Sequence, residues 1–315
     1  MKTTAKILVG LWLFGGIVAL ADDAATKAKL AAELEKAKAS VSPSYKLAYK
    51  FAVGEEFRTK VVHLVTVETK IKGAEQTAKT RSVSHKVWKI NKVEPNGNIV
   101  FEHRVEEVDM WQSVSGRPEL RYNSTHDKQP PPGYEHVAES VGKTLATITM
   151  DPYGRVVARD NAQKQFNPGI GELTIPFPNQ PVKPGNTWSI PEEVRVRLED
   201  GTIKKVNTKQ QYKLEKVEAG VATISVATTL LTPASDPKVM SQLVQRMQRG
   251  TIKFDLDAGR LIYKQMDLDE SVVGFSGPES HMQYLARFTE EPVTAKAVQA
   301  PATTAQVEPA GETTK

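Results

Sequence analysis

The residues best suited to acid–base or metal chemistry are the six histidines of this sequence. His63, His85 and His103 lie in segments with strand-like alternation, where neighbouring imidazoles could bind zinc or one could move a proton. Alternation places His85 and His103 on opposite faces of one hairpin, which argues against a shared metal site. His103 falls among apolar residues, so we expect a partly buried imidazole bonded to a neighbour, with a ligand contact as the alternative.

Carboxylates form a second candidate group along one strand. Paired carboxylates can act as acid and base in glycoside hydrolysis. Alternation puts Glu102 and Glu106 on a charged face near Lys89, so we expect solvated strand charges rather than a catalytic pair. The full run consists of Glu102, Glu106, Glu107 and Asp109.

Two aspartate-containing segments could hold a cation. Asp255-Leu256-Asp257-Ala258-Gly259 is similar to a calcium-binding loop, but its glycine comes one place early and its twelfth position is Met266. Asp151-Pro152-Tyr153-Gly154 occupies the corresponding place in the first half of the chain. Both are predicted to be tight turns, in which aspartate bonds its own backbone and glycine accepts a positive φ.

The sequence lacks the motifs of common enzyme classes. It has no cysteine, which excludes a thiolate metal site, a cysteine nucleophile and a disulfide framework. It also has no Gly-x-Ser-x-Gly, His-Glu-x-x-His, phosphate-binding loop or dinucleotide-binding glycine motif. The sequence therefore predicts a non-catalytic protein without a metal or cofactor. A hydrolase whose site is assembled from dispersed residues around His103 stays open as an alternative.

Charge gives no indication of nucleic-acid binding. The net charge of +5 over 315 residues is a small bias. Basic residues are spread along many strands without interleaved aromatic residues. A surface of this kind can contact anionic lipid or an envelope polymer, and it also keeps sheet edges soluble. The residues predicted to be exposed are Lys60, Lys70, Lys72, Lys79, Arg81, Lys86, Lys89 and Lys92, then Arg195, Arg197, Lys204, Lys205 and Lys209.

Residues 1 to 21 have the pattern of a signal peptide. Lys2 and Lys6 precede an apolar stretch, and Ala19-Leu20-Ala21 forms a small-x-small cleavage site. An uncleaved N-terminal anchor is the alternative, and no later segment is apolar enough to span a membrane. Export without cysteine favours a bacterial envelope, because disulfides are common in eukaryotic secreted proteins. We therefore expect a periplasmic or extracellular location.

The mature chain is predicted to be mainly β (α+β), with two tandem antiparallel-sheet lobes that each carry one packed helix. Valine, isoleucine and threonine alternate with charged residues over most of its length. The predicted order is an N-terminal helix (22–41), lobe 1 (42–165), a proline-rich joint (166–184), lobe 2 (185–290) and a disordered tail (291–315).

An internal repeat is the reason for predicting two lobes. Trp88-Lys89-Ile90-Asn91-Lys92-Val93-Glu94 corresponds to Tyr212-Lys213-Leu214-Glu215-Lys216-Val217-Glu218, and each segment precedes a glycine turn. Residues 84 to 106 and 208 to 228 are therefore predicted to form equivalent hairpins, with Trp88 and Tyr212 on matching buried faces. A two-residue turn at Asn96-Gly97 would pair Trp88 with Val105. A three-residue loop at Ala219-Gly220-Val221 would pair Leu214 with Val226.

One helix is predicted before the last hairpin of each half. In the second half Ser235 or Asp236 caps it, Pro237 occupies its first turn and Gly250 ends it. Its buried face is predicted to consist of Val239, Met240, Leu243, Val244 and Met247. In the first half the helix is shorter, from Tyr134 to Val141, and Gly142 ends it.

Several of these landmarks resemble those of uncharacterised bacterial secreted proteins with a duplicated β-rich unit. The residues that carry the resemblance are Tyr49-Lys50-Phe51 with Gly54-Glu55, Pro181 to Trp188, and Phe254-Asp255 with Gly259-Arg260-Leu261. It covers most of residues 45 to 275 and implies the architecture and the exported location. It implies no activity.

The function predicted from these observations is that of an exported, non-catalytic envelope protein that binds a ligand or partner. Curved sheets with a covering helix can enclose an apolar cavity, so an apolar ligand or an envelope component is the expected partner. Trp88, Phe101, His103 and Tyr212 are the predicted ligand-binding residues, and no catalytic or metal-binding residue is predicted. A structural or scaffolding role in the envelope is the alternative.

Overall fold

The computed structural model describes residues 43–161, 174–198 and 200–293, which belong to one compact unit that begins at Pro43. The predicted signal peptide and N-terminal helix lie outside the described residues, as do part of the joint and nearly all of the tail. The tail was predicted to begin at residue 291, but the last strand continues to Pro292. Among the described helices, none has the length and apolar character that crossing a membrane requires.

The described residues form a twelve-stranded antiparallel sheet and two short helices, so the predicted mainly β fold is confirmed. The first half contains β1 (Glu56–Ile71), β2 (Ala74–Val93), β3 (Ile99–Val114), β4 (Leu120–Asn123), α1 (Glu135–Ser140), β5 (Thr144–Met150) and β6 (Val156–Asn161). The second half contains β7 (Thr187–Arg197), β8 (Ile203–Glu218), β9 (Val221–Leu230), α2 (Pro237–Leu243), β10 (Arg249–Asp255), β11 (Arg260–Val273) and β12 (His281–Pro292). The spatial order is β6-β5-β3-β2-β1-β12-β11-β10-β9-β8-β7, with β4 paired to β3.

The two halves of the described chain share one sheet and one main core rather than forming separate lobes. Strand β12 returns to pair with β1, from Thr59 opposite Pro292 to Lys70 opposite His281. This pairing covers an edge that each half would otherwise expose. The main core includes Trp88 and Phe101 from the first half together with Tyr212 and Phe254 from the second.

Both predicted hairpins form, and their cores match position for position. Trp88 lies opposite His103 as Tyr212 lies opposite Val226. Ile90 lies opposite Phe101 as Leu214 lies opposite Ile224. The predicted registers were wrong by two residues, which leaves Trp88, Ile90 and Phe101 on their predicted face because the pleat has a period of two.

The turns explain the error in register, because their types are the reverse of those predicted. The second hairpin has the two-residue turn, in which Ala219 and Gly220 both have positive φ. In the first hairpin Glu94 pairs with Asn98 around three residues, and Gly97 has φ +86°. A two-residue turn would have required a backbone N–H from Pro95, which proline lacks.

Both helices occur where they were predicted, with one correction at an end. Gly142 follows α1 with φ +78°, and the side chain of Asp236 caps α2 by accepting from the Lys238 N–H at 2.9 Å. Helix α2 ends at Leu243, with a 3₁₀ turn up to Arg246, so Gly250 does not end it. Gly250 lies in β10, where an added Cβ would stand 1.9 Å from the Gln265 carbonyl oxygen.

The described part of the predicted joint packs into the core. Ile175 and Phe177 are buried, and the Ile175 N–H donates to the Tyr49 hydroxyl at 2.9 Å. The Trp188 indole N–H donates to the Pro176 carbonyl at 2.9 Å. The connection between the halves therefore contacts the first half through Tyr49 and the second half through Trp188.

Gly154 lies in a turn that the connection between the halves approaches closely, and we expect alanine at this position to lower the stability of the protein. Gly154 has φ +82°, and its Cβ would stand 2.3 Å from the Ile175 carbonyl oxygen. Gly54 has φ +84° with nothing near its Cβ, so Gly54→Ala isolates the cost of the left-handed backbone, about 1 to 2 kcal/mol. Gly154→Ala should lose a further 1 to 3 kcal/mol, approximately, in urea unfolding, because backbone must move. Equal losses would contradict the close approach.

Candidate functional site

The four residues predicted to bind a ligand are all buried. Trp88 stacks on Phe101 with ring centroids 4.5 Å apart, and His103 is the cross-strand neighbour of Trp88. Tyr212 stacks on Trp188 at 5.5 Å. Exposed fractions are 3% for Trp88, 0% for Phe101, 4% for His103 and 2% for Tyr212. Their surfaces are covered by protein, which favours a role in packing, and ligand binding by these residues stays a prediction.

His103 is a neutral side chain inside the protein. Burial lowers its pKa to about 3, and the positive charges of Lys86 and Arg159 add to the effect. Its Nε2 atom has no hydrogen-bond partner in the described chain. A base of such low pKa that does not reach solvent is poorly suited to general base catalysis near neutral pH, so this geometry speaks against a hydrolase centred on His103.

We expect His103 to make the protein sensitive to acid. The pKa of His103 is about 3 in the folded protein, whereas the ordinary value of 6.5 applies to the unfolded chain. Between these pH values the unfolded chain therefore binds one proton more than the folded protein. Stability should therefore fall as pH drops below 6.5, by at most about 1.4 kcal/mol per pH unit from this group.

His103→Val gives the control for that prediction, because Val226 occupies the matching position of the second hairpin. Urea unfolding of both proteins between pH 7 and 4 should show a shallower loss of stability in the variant. Parallel curves would mean that His103 is protonated in the folded state as easily as in the unfolded chain.

The other predicted acid–base and metal candidates are dispersed. His85 Nδ1 lies 3.0 Å from a Glu107 oxygen, whereas His63 is half-buried beside Phe288. Glu106 accepts from Arg104 at 2.9 Å and also from Arg58. Partial burial pushes the pKa of Glu106 up, but these two guanidinium groups outweigh it and hold the pKa below its ordinary value. Within the described residues no group of three or more metal-ligating side chains is found.

Both aspartate segments are turns, as predicted. Asp151 accepts from the N–H groups of Tyr153 and Arg155, and Asp255 from those of Asp257 and Ala258. The ammonium of Lys50 donates to the carbonyls of Leu256 and Asp257 at 3.0 and 3.1 Å. A protein cation therefore occupies two backbone carbonyl oxygens of the second turn.

A buried charge cluster lies where β1, β2, β11 and β12 meet. Glu290 is 2% exposed, forms an ion pair with Lys86 and accepts from the Thr59 hydroxyl at 2.9 Å. Lys264 lies opposite Glu290 in the sheet and is also buried. Burial pushes the pKa of Glu290 up, but the charges of Lys86 and Lys264 and the two hydrogen bonds outweigh it, so the pKa is lowered. Lys86 was predicted to be exposed, which is wrong, because alternation places it on the same face as Trp88.

A groove of about 680 Å³ lies on the opposite, solvent-facing side of the same central strands. Cross-strand pairing aligns side chains in two rows on this face. The first row is Asp267, Arg287, Leu64, Arg81 and Trp111, and the second is Asp269, Leu285, Thr66 and Lys79. Leu64 is 41% exposed and Leu285 39% exposed.

Positive charges border the apolar centre of this groove. Arg81 pairs with Asp109 at 3.1 Å, and Arg287 pairs with Asp267 at 2.6 Å. Lys79 is exposed and makes no ion pair with any described residue. A groove of this size, with an apolar floor and a few polar groups, suits a small amphipathic molecule.

Sequence reasoning missed the groove because its apolar residues are far apart in the chain. Leu64 and Leu285 become neighbours only through the pairing of β1 with β12. The sequence did contain one indication of the groove, since alternation places these leucines on the face that otherwise carries charge. Trp111 gives the same indication, because it is an aromatic residue on that face of β3.

The fold and this groove define a mainly β protein with one large antiparallel sheet and an open surface site. Residues 160–261 match the model of a family of unknown function, DUF6263. No curated protein matches the chain.

The chain also has similarities to solved structures. One, described as lipid–protein interactions in lipovitellin, is 12% identical with a TM-score of 0.43 and matches 80% of this chain, which spans 27% of that one. DynF of the dynemicin biosynthesis pathway of Micromonospora chersina is 8% identical with a TM-score of 0.20, over 80% of this chain and 86% of its own. The Salmonella type III secretion secretin InvG in its open gate state is 8% identical with a TM-score of 0.17, over 88% and 68%. Similarities of this size carry no argument about function.

Proposed function

We propose that this is an exported, non-catalytic protein of the bacterial envelope that binds a small amphipathic ligand in the groove on the central strands. The observation that carries the proposal is the groove itself, with its volume of about 680 Å³. Export rests on the signal-like pattern of residues 1 to 21. The proposed site is an open groove rather than the enclosed apolar cavity expected from the sequence, and the proposed ligand is amphipathic.

The apolar part of the ligand is proposed to lie on Leu64, Leu285 and Trp111. Leucines on the wet face of a sheet leave apolar area in water, and covering it is favourable by roughly 25 cal/mol per Å². Both leucines are exposed by about two-fifths, which leaves area for a ligand to cover.

The polar part of the ligand is proposed to be an anionic group that contacts Lys79. The arginines of the groove are already bonded to Asp109 and Asp267, whereas Lys79 has no such partner among the described residues. An anion placed there gains an interaction without breaking an ion pair. The two parts together describe a molecule such as a fatty acid.

A duplicated unit is part of the same proposal. The matching hairpins and the order of strands in the two halves support descent from one β-rich unit with one helix. Strands β1, β2 and β3 of one half and β11 and β12 of the other contribute to the groove. In this view the ligand site arose at the seam between the copies.

Titration with a fluorescent fatty acid, and with a neutral fluorescent monoacylglycerol, tests the proposal directly. We expect the fatty acid to bind more tightly than the neutral probe. Leu64→Asn should weaken both probes by about tenfold, because roughly one partly exposed leucine contact is lost. Lys79→Gln should weaken only the fatty acid, by about two- to fivefold.

Two matched variants serve as controls. Leu231→Asn removes a leucine that is 51% exposed outside the groove. Lys89→Gln removes a charge on the same face of β2, ten residues and roughly 34 Å along the strand from Lys79. Absence of binding by the wild-type protein, or equal effects of Leu64→Asn and Leu231→Asn, would reject the groove as the site.

A further inference from the structure

A small cavity lies beside the buried charge cluster, on the face opposite the groove. Its walls are Tyr49, Phe57, Trp88, Ile175, Leu261, Lys264 and Glu290. The volume available to the centre of a water molecule in this cavity is about 10 Å³. One bound water molecule needs about 10 to 15 Å³ by the same measure.

Trp88, a residue of the cavity wall, carries a polar atom that has no hydrogen-bond partner among the described residues. The Nε1 atom of Trp88 is buried and makes no hydrogen bond with the described residues. An indole N–H can form a hydrogen bond only as a donor, and a buried donor without an acceptor lowers the stability of the folded protein. The other indoles of the described chain behave differently, because Trp111 donates to Glu119 and Trp188 to the Pro176 carbonyl.

The charged walls supply the remaining partners that a guest molecule would need. Glu290 presents a carboxylate, which accepts hydrogen bonds, and Lys264 presents an ammonium group, which donates them. Oε1 of Glu290 is occupied by Lys86 and Thr59. A carboxylate has a second oxygen with lone pairs of its own, and that oxygen also accepts hydrogen bonds.

We propose that this cavity is a binding site for one structural water molecule. The water accepts from the Trp88 indole N–H and donates to the Glu290 carboxylate, and Lys264 stands within the same cavity wall. It thereby connects the aromatic core to the charge cluster at the junction of β1, β2, β11 and β12. The rest of the wall is mainly apolar, and the small volume limits the site to a single molecule.

A small anion such as chloride is the competing guest. Lys86, Lys264 and Glu290 together carry one net positive charge, which would attract an anion. Glu290 is itself a lining residue, and its negative charge disfavours an anion in the cavity. Water satisfies both a donor and an acceptor, and an anion satisfies only donors, so the mixed wall favours water.

A high-resolution crystal structure of the wild-type protein, grown with and without bromide, tests the proposal. We expect one ordered oxygen at hydrogen-bonding distance from Trp88 Nε1 and no anomalous signal from bromide there. A cavity without electron density, or a bromide peak within it, would overturn the proposal.

Water-selective nuclear Overhauser measurements give a second readout in solution. The Trp88 indole proton should show a cross-peak to a long-lived water molecule, whereas the Trp188 indole, bonded to a carbonyl, should not. Trp88→Phe assigns the signal by removing it, and backbone-linked assignment replaces that variant if it does not fold. Identical behaviour of the two indoles would count against a bound water.

Discussion

Replacing Trp88 with alanine should lower the free energy of unfolding by about 3 to 5 kcal/mol, as large aromatic truncations in well-packed cores do. Trp88 is 3% exposed and stacks on Phe101. It also contacts Phe57 and Phe51, with ring centroids 5.9 and 6.1 Å away. Alanine leaves a cavity among these rings that the surrounding sheet cannot collapse to fill.

Urea unfolding followed by far-ultraviolet circular dichroism measures this loss without relying on tryptophan fluorescence. Lys89→Ala is the matched control, because the neighbouring residue is exposed, and its effect should stay within about 0.5 kcal/mol. A loss below about 1 kcal/mol for Trp88→Ala would mean that the ring does not anchor the core.

The same experiment distinguishes one core from two lobes. Trp88 and Tyr212 belong to the same cluster of buried residues although they come from different halves of the chain. The whole transition should therefore move to lower urea in the Trp88 variant. A second transition that stays at the wild-type midpoint would show that the halves unfold independently.

Strand faces were predictable from the sequence because alternation is local. The face of Trp88, Ile90 and Phe101 follows from a period of two, and it survives a register error of two residues. Register was less predictable, because it depends on turn type. In the first hairpin Pro95 decides the turn type, because it lacks the N–H that a two-residue turn needs. The prediction gave more weight to the Asn-Gly pair than to this missing N–H.

The pairing of distant strands was not predictable by the same reasoning. Nothing local in β1 or β12 indicates that they are neighbours, and separate lobes would leave both as edges. The buried cluster and the groove both depend on that pairing. Lys86 shows how a residue type can mislead, since its position in the alternation indicated the inside while its charge suggested the surface.

The second large effect is expected at Glu290, whose removal leaves two buried ammonium groups without their carboxylate. Breaking a buried ion pair by removing one partner costs about 3 to 5 kcal/mol, because the remaining charge stays buried. Glu290→Ala should therefore destabilise the protein by about that amount in urea unfolding. Glu291→Ala is the control, since the next side chain on β12 is exposed and should be nearly neutral.

The pH dependence of Glu290 distinguishes lost charge from lost packing. The pKa of Glu290 is held below its ordinary value of 4.5, so its stabilising contribution is present above pH 4.5 and is lost as pH falls through the folded-state pKa. Glu290→Gln keeps the shape and removes the charge. The stability difference between wild type and Glu290→Gln should therefore be large at pH 7 and shrink in acid, whereas a difference independent of pH would assign the effect to packing alone.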